Sequence, residues 1–160
     1  MEIRTLFREA EPAEADAIAD VVNRAFAVER FFIDGDRTSP ENVRESFGKG
    51  SFLVAEQGDE LAGCVYVEKR GERAYLGMLS IAPARQRSGL GSQLMAAAED
   101  HARKLGCQVM DIRIVNLRQE LPGFYRQLGY VETGTEPLPA EAHPKLPCHL
   151  ITMSKRLGPI

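Results

Sequence analysis

The sequence predicts a single α/β domain: a mixed, mostly antiparallel sheet of six or seven strands flanked by about four helices. Three observations predict this class. Three strand-like segments between residues 51 and 81 are joined by two tight, glycine-containing turns, which is typical of an antiparallel meander. The third segment leads into a polar loop with two glycines and then into an amphipathic helix. A strand, a helix and two more strand-like segments follow.

The amino-terminal part predicts one strand and two helices. Ile3–Arg8 alternates apolar and polar residues, as a half-buried strand does. Pro12 suits the first turn of a helix, and the apolar residues that follow have helical spacing and predict a core face: Ile18, Val21, Val22, Ala25 and Phe26. Ser39 followed by Pro40 has the chemistry of a helix start, which predicts a second helix to about Phe47.

The meander consists of strands over Ser51–Glu56, Leu61–Lys69 and Ala74–Ile81. The helix after the polar loop ends near Gly106, a favourable stop. One side of it carries Leu90, Leu94, Ala98, His101, Ala102 and Leu105. His101 lies among apolar neighbours, so we interpret it as a structural histidine.

The carboxyl-terminal part predicts a strand over Gln108–Val115, a helix over Leu117–Leu128 and extended chain over Tyr130–Thr135. Residues 136–147 contain four prolines and predict a loop. The alternation of Cys148–Leu157 predicts the last strand.

Composition excludes several classes of function. The 160 residues suit one domain, and a formal net charge of −3 gives no general attraction for nucleic acid or membranes. No apolar run approaches the roughly 20 residues of a membrane span, and the start does not resemble a signal peptide. Three well-separated cysteines suggest neither a disulfide framework nor a metal site. We therefore expect a cytoplasmic protein without a metal.

The chemistry of the chain centres on the junction between Met78 and Ser92. Gly89 and Gly91 carry no Cβ atom, so the loop amides can approach an anion, and the following helix adds unpaired N–H groups and the positive end of its dipole. This arrangement suits a phosphate or pyrophosphate, although glycines also occur at strand–helix junctions for steric reasons alone. The nucleoside-triphosphate loop is absent, and Leu94 stands where a dinucleotide fingerprint needs its third glycine.

Two motifs resemble those of the GNAT N-acyltransferases. Gln86-x-x-Gly89-x-Gly91 resembles the family's Gln/Arg-x-x-Gly-x-Gly/Ala loop. Asn116 after a strand, followed by Tyr125 and then by Gly129-Tyr130, resembles the second family motif. The resemblance implies one GNAT domain over residues 1–160, in which the fourth and fifth strands splay apart.

The resemblance also implies a site for acetyl-coenzyme A. The family's pyrophosphate-binding loop corresponds to Gln86, Arg87, Ser88, Gly89, Leu90, Gly91 and Ser92. The pantetheine arm would pair with the backbone of Leu79 and Ile81, and the Ile81 N–H would polarise the thioester carbonyl. Asn116 matches the family's contact to that arm. Tyr125 matches the tyrosine that protonates the leaving thiolate, although it could instead be a packing residue.

The general base is not assigned. Many relatives carry a glutamate on the fourth strand, but Ala74–Ile81 has no carboxylate. Glu29, Glu68 and Glu120 are candidates, although a solvated surface charge is the more common role for such a residue. We expect residues 28–38 and 136–147 to select the acceptor, with Glu29, Phe31 and Glu120 as candidate contacts. Phe31 and Phe32 can also be interpreted as core residues.

The expected activity is direct transfer of acetyl to an amine in a ternary complex. The alternative is a coenzyme-A-binding sensor or regulatory module without turnover, which the missing fourth-strand carboxylate supports. A nucleotide-binding domain is disfavoured by the absent Lys-Ser/Thr and by the antiparallel strands before the loop. The sequence leaves the acceptor open, and it also leaves open whether the chain forms a homodimer, as relatives often do.

Overall fold

A seven-stranded sheet forms the centre of the protein. The computed structural model describes residues 4–159. The strands lie in the order β1-β2-β3-β4-β5-β7-β6, and all neighbours are antiparallel except β4 and β5, which are parallel. Their bounds are Thr5–Glu9 (β1), Ser51–Gln57 (β2), Glu60–Arg70 (β3), Arg73–Ile81 (β4), Val109–Val115 (β5), Val131–Pro137 (β6) and His149–Arg156 (β7).

Two pairs of helices cover the two faces of the sheet. They are α1 (Ala15–Ala25), α2 (Pro40–Phe47), α3 (Leu90–Lys104) and α4 (Leu121–Gln127). Ile18 of α1 and Val43 of α2 are buried in the core on one face. Leu94 of α3 and Tyr125 of α4 are buried in the core on the other face. None of these helices, within the described residues, is long and apolar enough to cross a membrane.

The predicted fold class and order of elements are confirmed. Within this order α2 starts as expected, because the Ser39 side chain caps it by accepting a hydrogen bond from the Asn42 N–H at 3.2 Å. The predicted first strand began at Ile3, which lies outside the described residues, and the observed strand ends at Glu9.

Three details of the prediction are wrong. The fourth helix begins at Leu121 rather than Leu117, because Pro122 has no N–H to donate and therefore belongs in a helix's first turn. The interpretation of Phe31 as a core residue is wrong, because Phe31 is 59% exposed, whereas Phe32 is fully buried. Leu105 was predicted to lie on the apolar side of α3, but at the end of this helix it is 38% exposed.

The parallel strands β4 and β5 are paired at one end only. Their register joins Arg73 with Val109, Ala74 with Met110, and Tyr75 with Asp111. Beyond Tyr75 the two strands diverge, so the stretch from Leu76 to Ile81 has a strand partner on the β3 side alone. The expected splay is therefore present, and it opens one edge of β4.

An ion pair bridges the closed end of the splay. Arg73 Nε and Nη2 donate to the two carboxylate oxygens of Asp111 at 2.7 and 2.6 Å, and the Ser154 hydroxyl donates to the same carboxylate at 2.5 Å. The hydrogen bonds from Arg73 hold the pKa of Asp111 below its usual range, with a smaller contribution from Ser154. This cluster ties β4, β5 and β7 together.

We expect Arg73→Gln to lower the free energy of unfolding at pH 7 by about 0.5–1 kcal/mol, the range for a well-aligned but exposed pair. Since the folded-state pKa of Asp111 is depressed, its stabilisation is present above the ordinary aspartate pKa of about 3.9 and is lost as the pH falls through the folded-state value. Urea unfolding at pH 7 and at pH 3 measures both effects. Arg24→Gln, which breaks an exposed pair within α1, is the control and should change little. An equal effect of the two changes at pH 7 would contradict this role.

Candidate active site

A cleft of about 940 Å³ opens where β4 and β5 diverge. Its walls include residues from β4, β5, α4, the loop before α3 and the segment after α1. The cleft passes from the amino terminus of α3 on one side of the sheet to the segment around Phe26–Arg37 on the other. It could therefore hold two reactants that meet at the splay.

The amino terminus of α3 faces one end of the cleft. Gly89 precedes the helix with φ +84°, a left-handed conformation that favours glycine. No side chain caps this helix, so its first N–H groups remain available to a ligand. A Cβ atom on Gly91 would meet Phe124 Cζ of α4 at 3.4 Å. The two helices are thus close together beside the loop.

Most of the predicted coenzyme residues line this cleft: Leu79, Ile81, Gln86, Arg87, Gly89, Leu90, Gly91, Ser92 and Tyr125. Ser88 and Asn116 are not among the lining residues. The Ser88 hydroxyl donates to the Arg85 carbonyl at 2.5 Å. Asn116 Oδ1 accepts from the His149 N–H at 2.9 Å, so its amide ties the end of β5 to the start of β7. The coenzyme roles of all these residues stay predictions.

The open edge of β4 carries backbone groups that face the cleft. Ala82 N–H donates to the Ala62 carbonyl on the β3 side. Because successive residues of a strand direct their backbone groups to opposite edges, Ile81 directs its N–H and carbonyl to the open edge. Consistent with this, Gln86 Nε2 donates to the Ile81 carbonyl at 3.3 Å. Among residues 4–159, the Ile81 N–H therefore faces the splay and has no strand partner on that side.

A bulge interrupts this edge. Between the pairs Cys64–Ser80 and Tyr66–Gly77, one residue of β3 lies opposite both Met78 and Leu79. Met78 has φ +53°, a left-handed conformation that is uncommon for a side chain of this size. Such a bulge increases the local twist of the strand and re-aims the residues that follow it. No feature of the sequence predicted this bulge.

Tyr125 lies in α4 and faces the cleft from the side of α3. Its ring packs edge-on against Phe124 and Tyr130, with centroids 5.0 and 5.8 Å away. Its hydroxyl has no hydrogen-bond partner among residues 4–159. Burial raises the pKa of Tyr125 above its usual range, and the charge of Arg118 acts in the opposite direction. The hydroxyl therefore remains protonated at neutral pH.

A buried carboxylate lies on another wall of the cleft. Arg118 Nη1 donates to Glu29 Oε2 at 2.8 Å, and the side chain of Glu29 is only 10% exposed. Arg118 Nε also donates to Glu120 at 3.1 Å, but that carboxylate is 63% exposed. Burial raises the pKa of Glu29 above its usual range, although Arg118 lowers it. Arg118 thus joins Glu29, after α1, to the chain leading into α4.

Glu29 and Glu120 line the cleft, but the other two acidic or aromatic candidates do not. Glu68 accepts hydrogen bonds from the Tyr66 hydroxyl at 2.6 Å and from Arg70 at 2.5 Å, away from the cleft. Phe31 is exposed outside it. The position of Glu68 makes it a poor candidate for the base.

Sequence reasoning missed Tyr75 and Arg113, which line the cleft on the α1 side. The Tyr75 ring lies over Gly77, where an added Cβ atom would come within 2.7 Å of the tyrosine hydroxyl. The Arg113 guanidinium lies 5.1 Å from the centroid of the same ring. The glycine in β4 was visible in the sequence, but the register that places Arg113 beside Tyr75 was not.

The two segments expected to select the acceptor contact each other. Lys145 N–H donates to the Phe32 carbonyl at 2.6 Å, and Lys145 Nζ donates to the Arg30 carbonyl at 2.8 Å. Ile33 and Pro144 form an isolated bridge. Residues from both segments line the cleft, including Ile33 and Pro139. Together they form its far wall.

No group of three or more histidine, cysteine, aspartate or glutamate side chains within residues 4–159 is arranged to hold a metal ion. Cys64, Cys107 and Cys148 are free thiols. Tyr125, Glu29, Ile81 and several arginines line the cleft.

Comparison with known proteins identifies the architecture. Residues 16–130 match the family model described as "Acetyltransferase (GNAT) family". This match includes the splayed strands, the loop before α3 and α4.

Solved structures with the same fold cover nearly the whole chain. The ribosomal-protein-S18-alanine N-acetyltransferase of Escherichia coli is 16% identical, with a TM-score of 0.79 over 98% of this chain and 96% of that one. The Salmonella typhimurium protein yncA, solved with its cofactor acetyl-CoA, is 21% identical, with a TM-score of 0.74 over 96% and 94%. Nourseothricin acetyltransferase is 18% identical, with a TM-score of 0.74 over 96% and 99%.

Proposed function

Because this chain belongs to the GNAT acetyltransferase family, we propose that it transfers acetyl from acetyl-coenzyme A directly to an amine. The observation that carries this proposal is the continuous cleft, which joins the uncapped start of α3 to Tyr125 and Glu29 through the splay of β4 and β5. An enzyme that binds donor and acceptor together needs such a connected site. The whole chain, as one domain, would supply it.

The residues present fit acetyl-coenzyme A. Gly89, Gly91 and Ser92 offer backbone N–H groups at a helix start to the pyrophosphate. Arg85 and Arg87 line the same end of the cleft and add positive charge. The thioester, when bound, supplies an activated acetyl group. The Ile81 N–H would donate to its carbonyl oxygen as negative charge develops there.

Two side chains would handle the protons. As the amine nitrogen forms its bond to the acetyl carbon and the carbon–sulfur bond breaks, the Tyr125 hydroxyl gives its proton to the sulfur. Glu29 accepts the proton that the amine loses. Arg118 lies beside Glu29 and acts electrostatically on Tyr125, so its positive charge would offset the charge left on the phenolate. Exchange with solvent restores both groups.

A thiol-release assay tests this function. Acetyl-coenzyme A is incubated with the protein and a panel of primary amines, and free thiol and acetylated amine are both quantified. We expect thiol release that depends on the amine and equals the amount of acetylated product. Binding of acetyl-coenzyme A without any amine-dependent release would contradict the enzyme and favour a coenzyme-binding module.

We expect Glu29→Gln to lower kcat/KM about tenfold, because an amide cannot accept the amine proton and only water remains to do so. Since burial raises the pKa of Glu29, the wild-type rate should fall on the acid side at a pH above the ordinary glutamate pKa of about 4.3. The variant should lose this acid limb, as a pH–rate profile would show.

Glu120→Gln is the matched control. It removes the other carboxylate bound to Arg118, which is largely exposed, and should change kcat/KM less than twofold. An unchanged acid limb in Glu29→Gln would contradict the assignment of Glu29 as the base.

A further inference from the structure

The cleft has a distinct half on the α1 side of the sheet. Ile112 and Ile114 of β5 are buried in the core beneath α3 and α4, so Arg113, between them, faces the opposite side. Tyr75 packs against the core on that opposite side. We call this part the acceptor half and define it by Phe26, Glu29, Arg37, Tyr75 and Arg113, all of which line the cleft.

Arg113 is held in this half by the Tyr75 ring and by a long ion pair with Glu136. Its guanidinium lies over the Tyr75 ring, and that ring is in turn positioned over Gly77. Its ion-pair partner within residues 4–159 is Glu136, which is 46% exposed and lies 3.7 Å away, a distance too long for a hydrogen bond. A guanidinium that is pre-positioned on a ring and held by only one long ion pair is suited to bind a carboxylate through two parallel hydrogen bonds.

Three of the negative charges around the acceptor half are already paired. Asp36 pairs with Arg30, Asp34 pairs with Lys145, and Glu29 pairs with Arg118. Glu141, on the proline-rich loop, is exposed and lies in the wall without an ion pair among residues 4–159.

One arginine of the acceptor half, in contrast, has no carboxylate partner within the described residues. Arg37 lies over the Phe26 ring at 5.5 Å and has no ion pair within the described part of the chain. The acceptor half thus offers two arginines stacked on aromatic rings and one buried carboxylate.

We infer that the acceptor is an amino carboxylate, an amino acid or close relative, whose carboxylate binds the Arg113 guanidinium while its amine faces Glu29. This inference rests on the proposed acetyl transfer and names the substrate class for it. Arg37 adds positive charge on the same side. An amine without a carboxylate would leave Arg113 with only its long ion pair to the exposed Glu136, and the missing bidentate pairing is the source of discrimination.

The test compares acids with their own amides. The acceptors are the twenty common amino acids, β-alanine and 4-aminobutyrate, each beside its carboxamide, with spermidine as a plain amine. For at least one amino acid that the enzyme acetylates, we expect kcat/KM for the free acid to exceed kcat/KM for its carboxamide about tenfold or more. In Arg113→Gln this ratio should fall toward one, and Arg113→Lys should recover part of it.

The control is Arg70→Gln. Arg70 lies over the same Tyr75 ring, at 4.5 Å, but does not line the cleft, so the ratio should stay at the wild-type value. The thermal midpoint with and without acetyl-coenzyme A verifies that each variant is folded and binds the donor.

Each other outcome overturns the inference. If kcat/KM for the amides or for spermidine matched or exceeded kcat/KM for every free acid, the inference would be wrong while acetyl transfer would stand. An acid-to-amide ratio that stayed unchanged in Arg113→Gln would have the same meaning. Absence of thiol release with any of these amines would count first against the proposed function, and the inference would fall with it.

Discussion

Replacing Tyr125 with phenylalanine should lower kcat about 100- to 1,000-fold while leaving the Kd for acetyl-coenzyme A within about twofold of wild type. The ring is buried between Phe124 and Tyr130, and its hydroxyl has no partner within residues 4–159. Phenylalanine therefore keeps the packing and removes only the proton donor. Steady-state kinetics and calorimetric titration of acetyl-coenzyme A measure the two quantities.

Tyr130→Phe is the matched control. Tyr130 is equally buried, but its hydroxyl donates to Glu99 at 2.9 Å and it does not line the cleft. Removal of the Tyr130 hydroxyl leaves the buried Glu99 carboxylate with one hydrogen-bond donor fewer. The free energy of unfolding should therefore fall by about 1–3 kcal/mol, with little change in kcat. If Tyr125→Phe retained wild-type kcat with a good acceptor, Tyr125 would be a packing residue.

Gly91→Asp should weaken binding of acetyl-coenzyme A about 100-fold, because a carboxylate in the first turn of α3 repels the pyrophosphate proposed to bind there. The unliganded protein should be as stable as wild type or slightly more stable. An acidic residue favours a helix start, and Gly91 is not in the left-handed region. Titration of the coenzyme and thermal unfolding separate these effects.

Gly91→Ala distinguishes charge from size. Its Cβ atom would meet Phe124 Cζ at 3.4 Å, an ordinary contact, so the loss of affinity should be much smaller than in the aspartate variant. Equal losses in both variants would mean that steric fit, not repulsion of an anion, governs this position.

The fold could be predicted from local patterns because most of its elements carry their own start and stop chemistry. Ser39 and Pro40 define the start of α2, and the turns of the meander define three strands. The same logic applied to Pro122 places the start of α4 at Leu121, as observed, whereas apolar periodicity alone extends the helix back to Leu117. The exposure of individual side chains is harder to predict from sequence. Phe31 and Phe32 are adjacent, and only the packing of the segment after α1 decides which one is buried.

The two ends of the cleft differ in how far the sequence could describe them. The end proposed to bind the pyrophosphate is local, since Gln86–Ser92 forms it within one loop and one helix start, and the motif indicated it directly. The acceptor half is not local. Glu29 and Arg118 are 89 positions apart, and Tyr75 meets Arg113 only through the register of the parallel strands. No spacing of residues in the sequence indicates that such distant residues lie together in the fold.

Asn116 illustrates the limit of transferring a role by motif alone. The family pattern assigns it to the coenzyme arm, but here its side-chain oxygen accepts from the backbone of His149. Its remaining NH₂ group could still contact a ligand, so its coenzyme role stays a prediction, and the observed bond shows what else the residue does.

The most direct test of the central claim, that this cleft binds acetyl-coenzyme A, is thermal unfolding of the wild-type protein with and without that ligand, beside ATP and NAD. At 100 times its Kd, a ligand adds about 2.7 kcal/mol, a rise of a few degrees for a domain of this size. We predict such a rise with acetyl-coenzyme A alone, and its loss in Gly91→Asp. No rise at millimolar acetyl-coenzyme A, or an equal rise with ATP and NAD, would contradict the account.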